Sequence, residues 1–311
     1  MGIIRGICVS AHRGTQKTEV KEADLQVNWG IVGDAHGGNW HRQVSLLSVE
    51  KIKAFQEKGA DVSFGAFGEN LIVEGFDFAS LPVGSRFRIG QAELEITQIG
   101  KECHSHCEIY KAMGDCIMPR EGVFAEVRTA GHIQVGDEMV LLPEDRKRPL
   151  TAAVITLSDQ GAAGQREDIS GPIIVEELKK AGYRVVETLL LPDDFSKIKK
   201  QLIRLSDQRQ VNLILTTGGT GFSKRDCTPE ATMAVATRNA PGIAEAIRAG
   251  SMQFTKRAML SREASVIRNQ TLIVNLPGSP KAVKECLDLV LDQLDHGIRI
   301  LIGWDGSCAR T

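Results

Sequence analysis

Two stretches of this 311-residue chain concentrate residue types that can do chemistry. The first is Leu213 to Glu230, LILTTGGTGFSKRDCTPE. An apolar, β-branched run from Val211 to Leu215 stops at the turn Gly218-Gly219-Thr220-Gly221, and a helix is expected to start at Thr228-Pro229-Glu230. Glycine lets a ligand approach the backbone closely because no Cβ intervenes. Successive free N–H groups in such a turn form an anion-binding concavity. Lys224 and Arg225 add positive charge, and Asp226 supplies a carboxylate suited to holding magnesium against the same phosphates. The loop is neither a Walker A motif nor a Gly-x-Gly-x-x-Gly dinucleotide fingerprint. Taken alone, such a turn is more often a tight strand-to-helix connection than a phosphate site. The second stretch, Lys101 to Cys107, reads KECHSHC. Cys103 and Cys107 with His36 or His41 could form a zinc site, although the second well-spaced ligand pair usual in such sites is missing. The other reading is a thiolate that carries sulfur or binds a soft metal such as molybdenum.

Composition narrows the setting. Hydrophobic residues make up 42% of the chain and charged residues 25%, as in a globular protein. Seven cysteines, an odd number without regular spacing, do not form a disulfide framework. No apolar run approaches the roughly 20 residues needed to span a bilayer, and the start, MGIIRGICVSAHRG, lacks signal-peptide features. The expectation is a cytoplasmic protein without a membrane partner. A net charge of −1 gives no support for nucleic acid as a partner. Residues 1–148 carry 17 Lys and Arg against 21 Asp and Glu, and the remainder 21 against 18. This asymmetry is weak support for an anionic ligand in the second half.

The elements that must position these residues fall into two groups. Pro143-Glu-Asp-Arg-Lys-Arg-Pro149 is polar between two prolines and reads as a linker, giving domains at 1–145 and 146–311. Before it, short segments divided by glycine predict strands at Gly2 to Ser10, Arg42 to Ser48, Glu69 to Val73, Ser85 to Ile89, Ala92 to Gln98 and His132 to Leu142, with one helix from Val49 to Gly59. In Ala92 to Gln98 the apolar residues alternate with Glu93, Glu95 and Thr97, the period of a half-buried strand. A mostly β, barrel-like domain is expected.

After the linker, strands alternate with helices: Ala152 to Leu157, a helix from Ser170 carrying Ile174, Leu178 and Ala181 on one face, Tyr183 to Leu191, a helix from Asp194 to Asp207, and Val211 to Leu215. A final helix places Val283, Leu287, Val290 and Leu294 on one stripe. This order predicts an α/β domain with a largely parallel sheet covered by helices on both faces. Ser158-Asp159, Asp193-Asp194 and Asn275 to Pro280 then converge with the glycine turn at the carboxyl ends of the strands, where ligands bind in such sheets. An Asp in the Asp193-Asp194 position is otherwise usually a helix cap, and Cys227 and Cys286 read as small core residues.

The motifs TTGGTG at Thr216 to Gly221, RDCTPEAT at Arg225 to Thr232, MLSR at Met259 to Arg262 and NLPGSPKAVKEC at Asn275 to Cys286 closely resemble the molybdopterin adenylyltransferase family, the MogA and gephyrin G-domain group. The resemblance implies Mg2+-assisted transfer of AMP from ATP to the terminal phosphate of molybdopterin. It assigns Asp193, Asp226 and Ser261 as catalytic, with Asp226 and Asp193 holding Mg2+. Gly218, Gly219, Thr220, Gly221, Arg262, Pro277 and Gly278 are assigned to nucleotide and pterin-phosphate binding. It also implies a homo-oligomer, a trimer.

In the first half, GIVGDAHGG at Gly30 to Gly38, RQVSLLS at Arg42 to Ser48, FGENLIVEG at Phe67 to Gly75 and REGVFAEVRTAG at Arg120 to Gly131 resemble a small MOSC domain. The resemblance implies a cysteine that bears a persulfide or ligates molybdenum, with Cys107 the first choice and Cys103 the second. Arg42, together with Gly33, Asp34, His36 and Asn70, would line a pocket for the molybdenum cofactor. Both halves then point to one pathway, with a molybdate-insertion protein and a sulfur donor as partners. Alternatives are a cofactor carrier or scaffold without turnover, and a molybdenum reductase centred on the first domain.

Overall fold

An apolar run is half-buried or fully buried according to what covers its two faces, and in both halves of this chain the central strands are covered on both. The computed structural model describes residues 1–102 and 108–305. The chain divides into two compact units, Met1–Asp145 and Arg146–Thr311.

The first unit contains strands β1 (Gly2–Val9), β2 (Thr18–Val20), β3 (Glu22–Gln26), β4 (Gly30–Ile31) and β5 (Val44–Ser48), helix α1 (Val49–Gln56), and strands β6 (Leu71–Glu74), β7 (Arg86–Ile89) and β8 (Ala92–Ile99). Short helices α2 (Glu108–Met113) and α3 (Met118–Glu121) precede β9 (Val123–Thr129), β10 (Gly131–Gln134) and β11 (Glu138–Leu141). The order β1-β6-β5-β9-β8-β7-β11 closes into a barrel, because β11 pairs back onto β1. Neighbours are antiparallel except β5 and β6, whose parallel pairing is spanned by α1. Strands β10, β3 and β4 form a small second sheet.

Leu46, Leu71, Val73, Val123 and Ala125 fill the barrel. Their chain neighbours Leu47, Ile72 and Phe124 pack outside it, with Val49, Ile52 and Phe55 of α1. This double covering corrects the half-buried reading of Ala92 to Gln98: Glu95, Thr97 and Gln98 are buried as well. Their polar groups find partners, such as the Arg128 guanidinium 2.9 Å from Glu95. The single strand expected from His132 to Leu142 is two, β10 and β11, separated by a turn in which the Asp137 carboxylate accepts from the Gln134 N–H at 2.9 Å.

The second unit runs β12 (Thr151–Leu157), α4 (Asp159–Ala162), α5 (Ser170–Lys180), β13 (Arg184–Leu191), α6 (Phe195–Ile203), β14 (Leu213–Thr217), α7 (Thr228–Met233), β15 (Arg238–Asn239), α8 (Pro241–Ser251), β16 (Ser265–Arg268), β17 (Thr271–Leu276) and α9 (Pro280–Leu301). The sheet order is β13-β12-β14-β17-β16-β15. The first four strands are parallel, and the last two complete it antiparallel. One face packs Val154, Leu215 and Val274 against α5, α8 and α9. The other packs Ile155, Ile214 and Ile273 against Ile198 and Leu202 of α6 and Ala231 of α7. The glycine turn follows a strand that starts and ends two residues later than its apolar run suggests. Asn212 still bonds both neighbouring strands, its N–H donating to Thr151 O at 3.1 Å and its carbonyl accepting the Leu272 N–H at 3.0 Å, while Thr216 and Thr217 continue the pairing. Ala181 is exposed at the end of α5 and adds nothing to the core.

Phe87 is fully buried in the barrel, with its ring centroid 5.2 Å from Phe76 and 5.5 Å from Phe78. Phe87→Ala should therefore cost about 3–5 kcal/mol of unfolding free energy. Urea denaturation followed through Trp29 and Trp40 in a Trp304→Phe background measures it, and a loss below about 1 kcal/mol, nearer the scale of a surface substitution, would contradict this packing.

Candidate functional site

Because β12, β13, β14 and β17 are parallel, the segments that leave their carboxyl ends depart along one edge. There they line a cleft of about 530 Å³ that takes in Ser158 and Asp159 after β12, Asp193 after β13, Gly218 and Gly219 after β14, and Gly278 to Pro280 after β17. The amino-terminal ends of α5 and α9, at Ser170 and Pro280, face the same cleft. Helix N-termini present unpaired N–H groups and favour negative charge.

The glycine loop is built by close approach. Gly218 and Gly219 have φ of +100° and +62°. A Cβ on Gly218 would strike the Leu157 carbonyl oxygen; one on Gly219 would strike the Thr228 hydroxyl and stand 2.6 Å from Asp193 Oδ1. All four loop carbonyls are tied back. The Thr228 hydroxyl donates to Gly218 O at 3.0 Å, the Thr228 N–H to Gly219 O at 3.2 Å, the Arg262 N–H to Thr220 O at 2.9 Å, and Arg262 Nε to Gly221 O at 2.7 Å. With its carbonyl dipoles engaged elsewhere, the loop offers its positive edge to a ligand. Further bonds brace the neighbours: the Thr217 hydroxyl donates to Pro277 O at 2.7 Å and the Ser170 hydroxyl to Gly278 O at 2.9 Å.

Carboxylates flank this loop. Asp193 Oδ1 is buried without a hydrogen-bond partner among the described residues. Burial raises the Asp193 carboxyl above the ordinary carboxylate range, and the negative charges of Asp159 and Asp226 add to the rise. Asp226 Oδ2 accepts from the Ser223 N–H at 3.0 Å and would stand 2.9 Å from a Cβ on Gly221. Asp159 is paired: it receives Arg225 Nε and Nη2 at 2.9 and 2.8 Å, which holds its carboxyl below the ordinary range, and it accepts the Asp193 N–H at 3.0 Å. Asp194 serves as a helix cap, accepting the Lys197 N–H at 2.9 Å. Among the described residues no three His, Cys, Asp or Glu side chains form a metal-holding group. Magnesium commonly takes one or two carboxylates and completes its octahedron with phosphate oxygens and water. The orphaned Asp193 oxygen and the adjacent Asp226 suit that donor set.

The fold thus brings Asp193, Gly218, Gly219 and Gly278 to one cleft, whereas Thr220, Gly221 and Asp226 follow in the same loop without lining it. Pro277 contributes its carbonyl to Thr217. Arg262 turns onto the loop itself, adding a 2.8 Å bond to Asp226 O and an ion pair with Glu230. The Ser261 hydroxyl donates to Glu263. Cys286 is buried and Cys227 half-buried. The sequence places Asp159 at this edge, as a carboxylate at a strand end followed by glycines, but its bond to Arg225, 66 positions away, is not readable from it.

In the first unit, Cys103 and Cys107 lie outside the described residues. Asp34 is buried and accepts Lys17 Nζ at 2.5 Å, the Ser10 N–H at 2.9 Å and the His36 N–H at 3.2 Å. Burial alone would raise its carboxyl, but these bonds outweigh it and hold the group below the ordinary range. Lys17 Nζ also lies 3.3 Å from His36 Nδ1. The Arg42 guanidinium sits 4.7 Å from the Trp40 ring centroid and 5.6 Å from that of Phe124. Asn70 is bound to backbone and to Ser45, donating to Cys8 O at 3.0 Å, and Gly33 stands in open space.

The parallel sheet, the tied-back glycine loop and the strand-end carboxylates make the second unit an α/β domain with its candidate site at the carboxyl ends of the strands. The "Probable molybdopterin binding domain" family model matches residues 153–296, and the MOSC domain model matches residues 33–140. The molybdopterin adenylyltransferase of Helicobacter pylori is 39% identical over 152 residues, which is 48% of this chain and 86% of that protein. That of Escherichia coli is 43% identical over 155 residues, 48% of this chain and 80% of the other. The solved structure of the molybdopterin biosynthesis enzyme MoaB from Thermus thermophilus is 40% identical, covering 50% of this chain and 99% of its own, with a TM-score of 0.48. The chain belongs to the molybdopterin adenylyltransferase family of molybdenum-cofactor biosynthesis, and it carries a MOSC domain in its first unit.

Two outcomes follow from this geometry. Gly219→Ala, which forces a side chain against Thr228 and Asp193 at a left-handed φ, should cost about 1–3 kcal/mol in urea denaturation of the full-length protein; an unchanged midpoint would contradict the close approach at this glycine. Asp34→Asn leaves Lys17 buried without its carboxylate and should destabilise the first unit by about 3–5 kcal/mol. Because the folded carboxyl is held below its unfolded value, Asp34 contributes in full above about pH 4. The contribution declines progressively from there down to the lower folded value, so wild type and variant should approach one another below about pH 4 and converge only in strong acid, as read from denaturation midpoints against pH.

Proposed function

We propose that the second unit transfers AMP from ATP to the terminal phosphate of molybdopterin. A molybdopterin phosphate oxygen attacks the α-phosphorus, the bond from that phosphorus to the bridging oxygen breaks, and pyrophosphate leaves. The observation that carries this reading is the glycine loop with all four carbonyls tied back, standing between an orphaned Asp193 oxygen and the Asp226 carboxylate. Donors fixed in advance where negative charge gathers lower the barrier without reorganising. The loop N–H groups and the ends of α5 and α9 bind and orient the phosphates, and Arg262 keeps the loop in shape. Asp226 and Asp193 would hold Mg2+, which, when bound, neutralises charge on the phosphates.

The MOSC unit binds, carries or sulfurates the cofactor in this proposal, with Cys107 the first candidate thiol and Cys103 the second. A homo-trimer in the cytoplasm, served by a sulfur donor and a molybdate-insertion protein, completes it. Full-length protein should release pyrophosphate from ATP only when molybdopterin and magnesium are present. Asp226→Ala should lower that rate by about 10²-fold or more, the scale lost with one group that stabilises transition-state charge. Undiminished release by the variant would refute the assignment.

A further inference from the structure

Lys17, Asp34 and His36 form a knot in the first unit that adenylyl transfer does not use. The Lys17 and Asp34 side chains are 1% and 0% exposed, and Lys17 Nζ lies 2.5 Å from Asp34 Oδ1. Burial pulls the Lys17 ammonium below its ordinary value, while the Asp34 bond and charge pull it back. Removing its proton would leave a buried carboxylate unpaired, so Lys17 stays an ammonium. The same nitrogen stands 3.3 Å from His36 Nδ1.

An ammonium has donors and no acceptor, and a neutral imidazole carries its single proton on one of its two nitrogens. The contact therefore runs from Lys17 to the Nδ1 lone pair, and the ring proton of His36 must sit on Nε2. The His36 side chain is 35% exposed. With Nδ1 turned to a buried lysine, its open edge is the Nε2 side. His41 differs: its Nε2 lies 2.9 Å from Gln98 Oε1, in an amide oriented by its own bond to Gly100 O at 2.7 Å, so the His41 N–H is spent inside the fold. Neither histidine offers an Nε2 lone pair to zinc. A fixed N–H calls for an acceptor, and the Lys17 bond at Nδ1 polarises the ring toward an anionic one. Arg13, whose Nε donates to Ala35 O at 3.0 Å, brings a second cation beside His36.

We propose that Lys17 is a positioning residue that fixes His36 as an Nε2–H donor, and that this donor takes an oxyanion, a phosphate or a molybdate-type oxo group, in place of a metal ion. Only the source of the oxyanion rests on the first unit binding the cofactor.

Full-length protein with isotope-labelled histidine, held at about pH 8.5 so that ordinary histidines are neutral, reports the tautomer through proton–nitrogen correlations. Wild type should carry the His36 proton on Nε2. Lys17→Met should give Nδ1 a proton, taken up by Asp34 Oδ2 now 3.7 Å away, and leave His41 unchanged. A bare Nε2 in wild type, or a tautomer indifferent to Lys17→Met, overturns the proposal. Binding is read from the Trp40 indole N–H, which donates to His36 O at 2.9 Å. Inorganic phosphate in one arm and molybdate in the other should shift this resonance saturably, and the lower Kd identifies the source. His36→Gln, whose amide N–H2 replaces the Nε2–H, should keep that Kd within about twofold, whereas His36→Asn, whose amide ends at the Nδ1 position, should weaken it about tenfold, the loss of one charge-assisted hydrogen bond. No shift in either arm, or equal losses in the two variants, overturns the oxyanion site. If Lys17→Met does not fold, the wild-type tautomer and the Gln and Asn pair decide. Molybdopterin that leaves the Trp40 resonance unmoved while a simple oxyanion shifts it would refute cofactor binding by the first unit and leave this inference standing.

Discussion

The second unit depends on backbone approaching backbone at the end of β14 more closely than a side chain would permit. At Gly218 the chain passes against the Leu157 carbonyl, and at Gly219 against Thr228 and Asp193. These two contacts tie together the ends of β12, β13 and β14 and the start of α7. The cleft, the orientation of the loop dipoles and the burial of the Asp193 carboxylate all follow from them. Shifting the loop outward to admit one methyl group would separate the glycine N–H groups from both carboxylates at once. The loop is therefore a structural junction as well as a binding surface.

Like charge is concentrated at this junction by design of the fold. Asp159, Asp193 and Asp226 converge, but they are not equivalent. Arg225 neutralises Asp159, and the Ser223 N–H engages Asp226, while Asp193 keeps one buried oxygen without a partner among the described residues. Burial and like charge together raise its carboxyl. A bound cation would relieve both effects, so the arrangement is stable in itself yet improved by the ligand it suits.

The α/β alternation after the linker and the barrel-like character before it were legible because hydrophobic period and segment length survive in the sequence. What escaped were features decided across long separations. The second burial of Glu95 and Thr97 depends on partners such as Arg128, contributed by β9. Strand β14 runs past its apolar stretch because Thr216 and Thr217 pair with Asn275 and Leu276 of β17, 59 positions later. The glycine turn itself was readable, and so was its company of Asp193 and Asp226. That Arg262 would brace the loop from behind, or that Ser261 would point to Glu263, could not be read from order alone. A residue two positions away in the chain is a neighbour in many conformations, and only tertiary packing selects the one that buries Glu263.

The closing of the first barrel has a temporal side. Gly2 in β1 pairs with Met139 in β11, so the ring is sealed by strands at opposite ends of the unit. A ribosome adding residues at about 5–20 per second takes on the order of ten seconds to make the second after the first. Within that interval β1 can pair first with β2 and then, once Leu71–Glu74 are made, with β6, while the edge destined for β11 stays open. The nascent chain thus passes through a stage in which an apolar strand has one satisfied side and one adhesive side. That exposure, inherent in any barrel sealed by its first and last strands, makes this unit dependent on its surroundings during synthesis in a way the second unit, whose β12 is flanked by strands within 66 positions, is not.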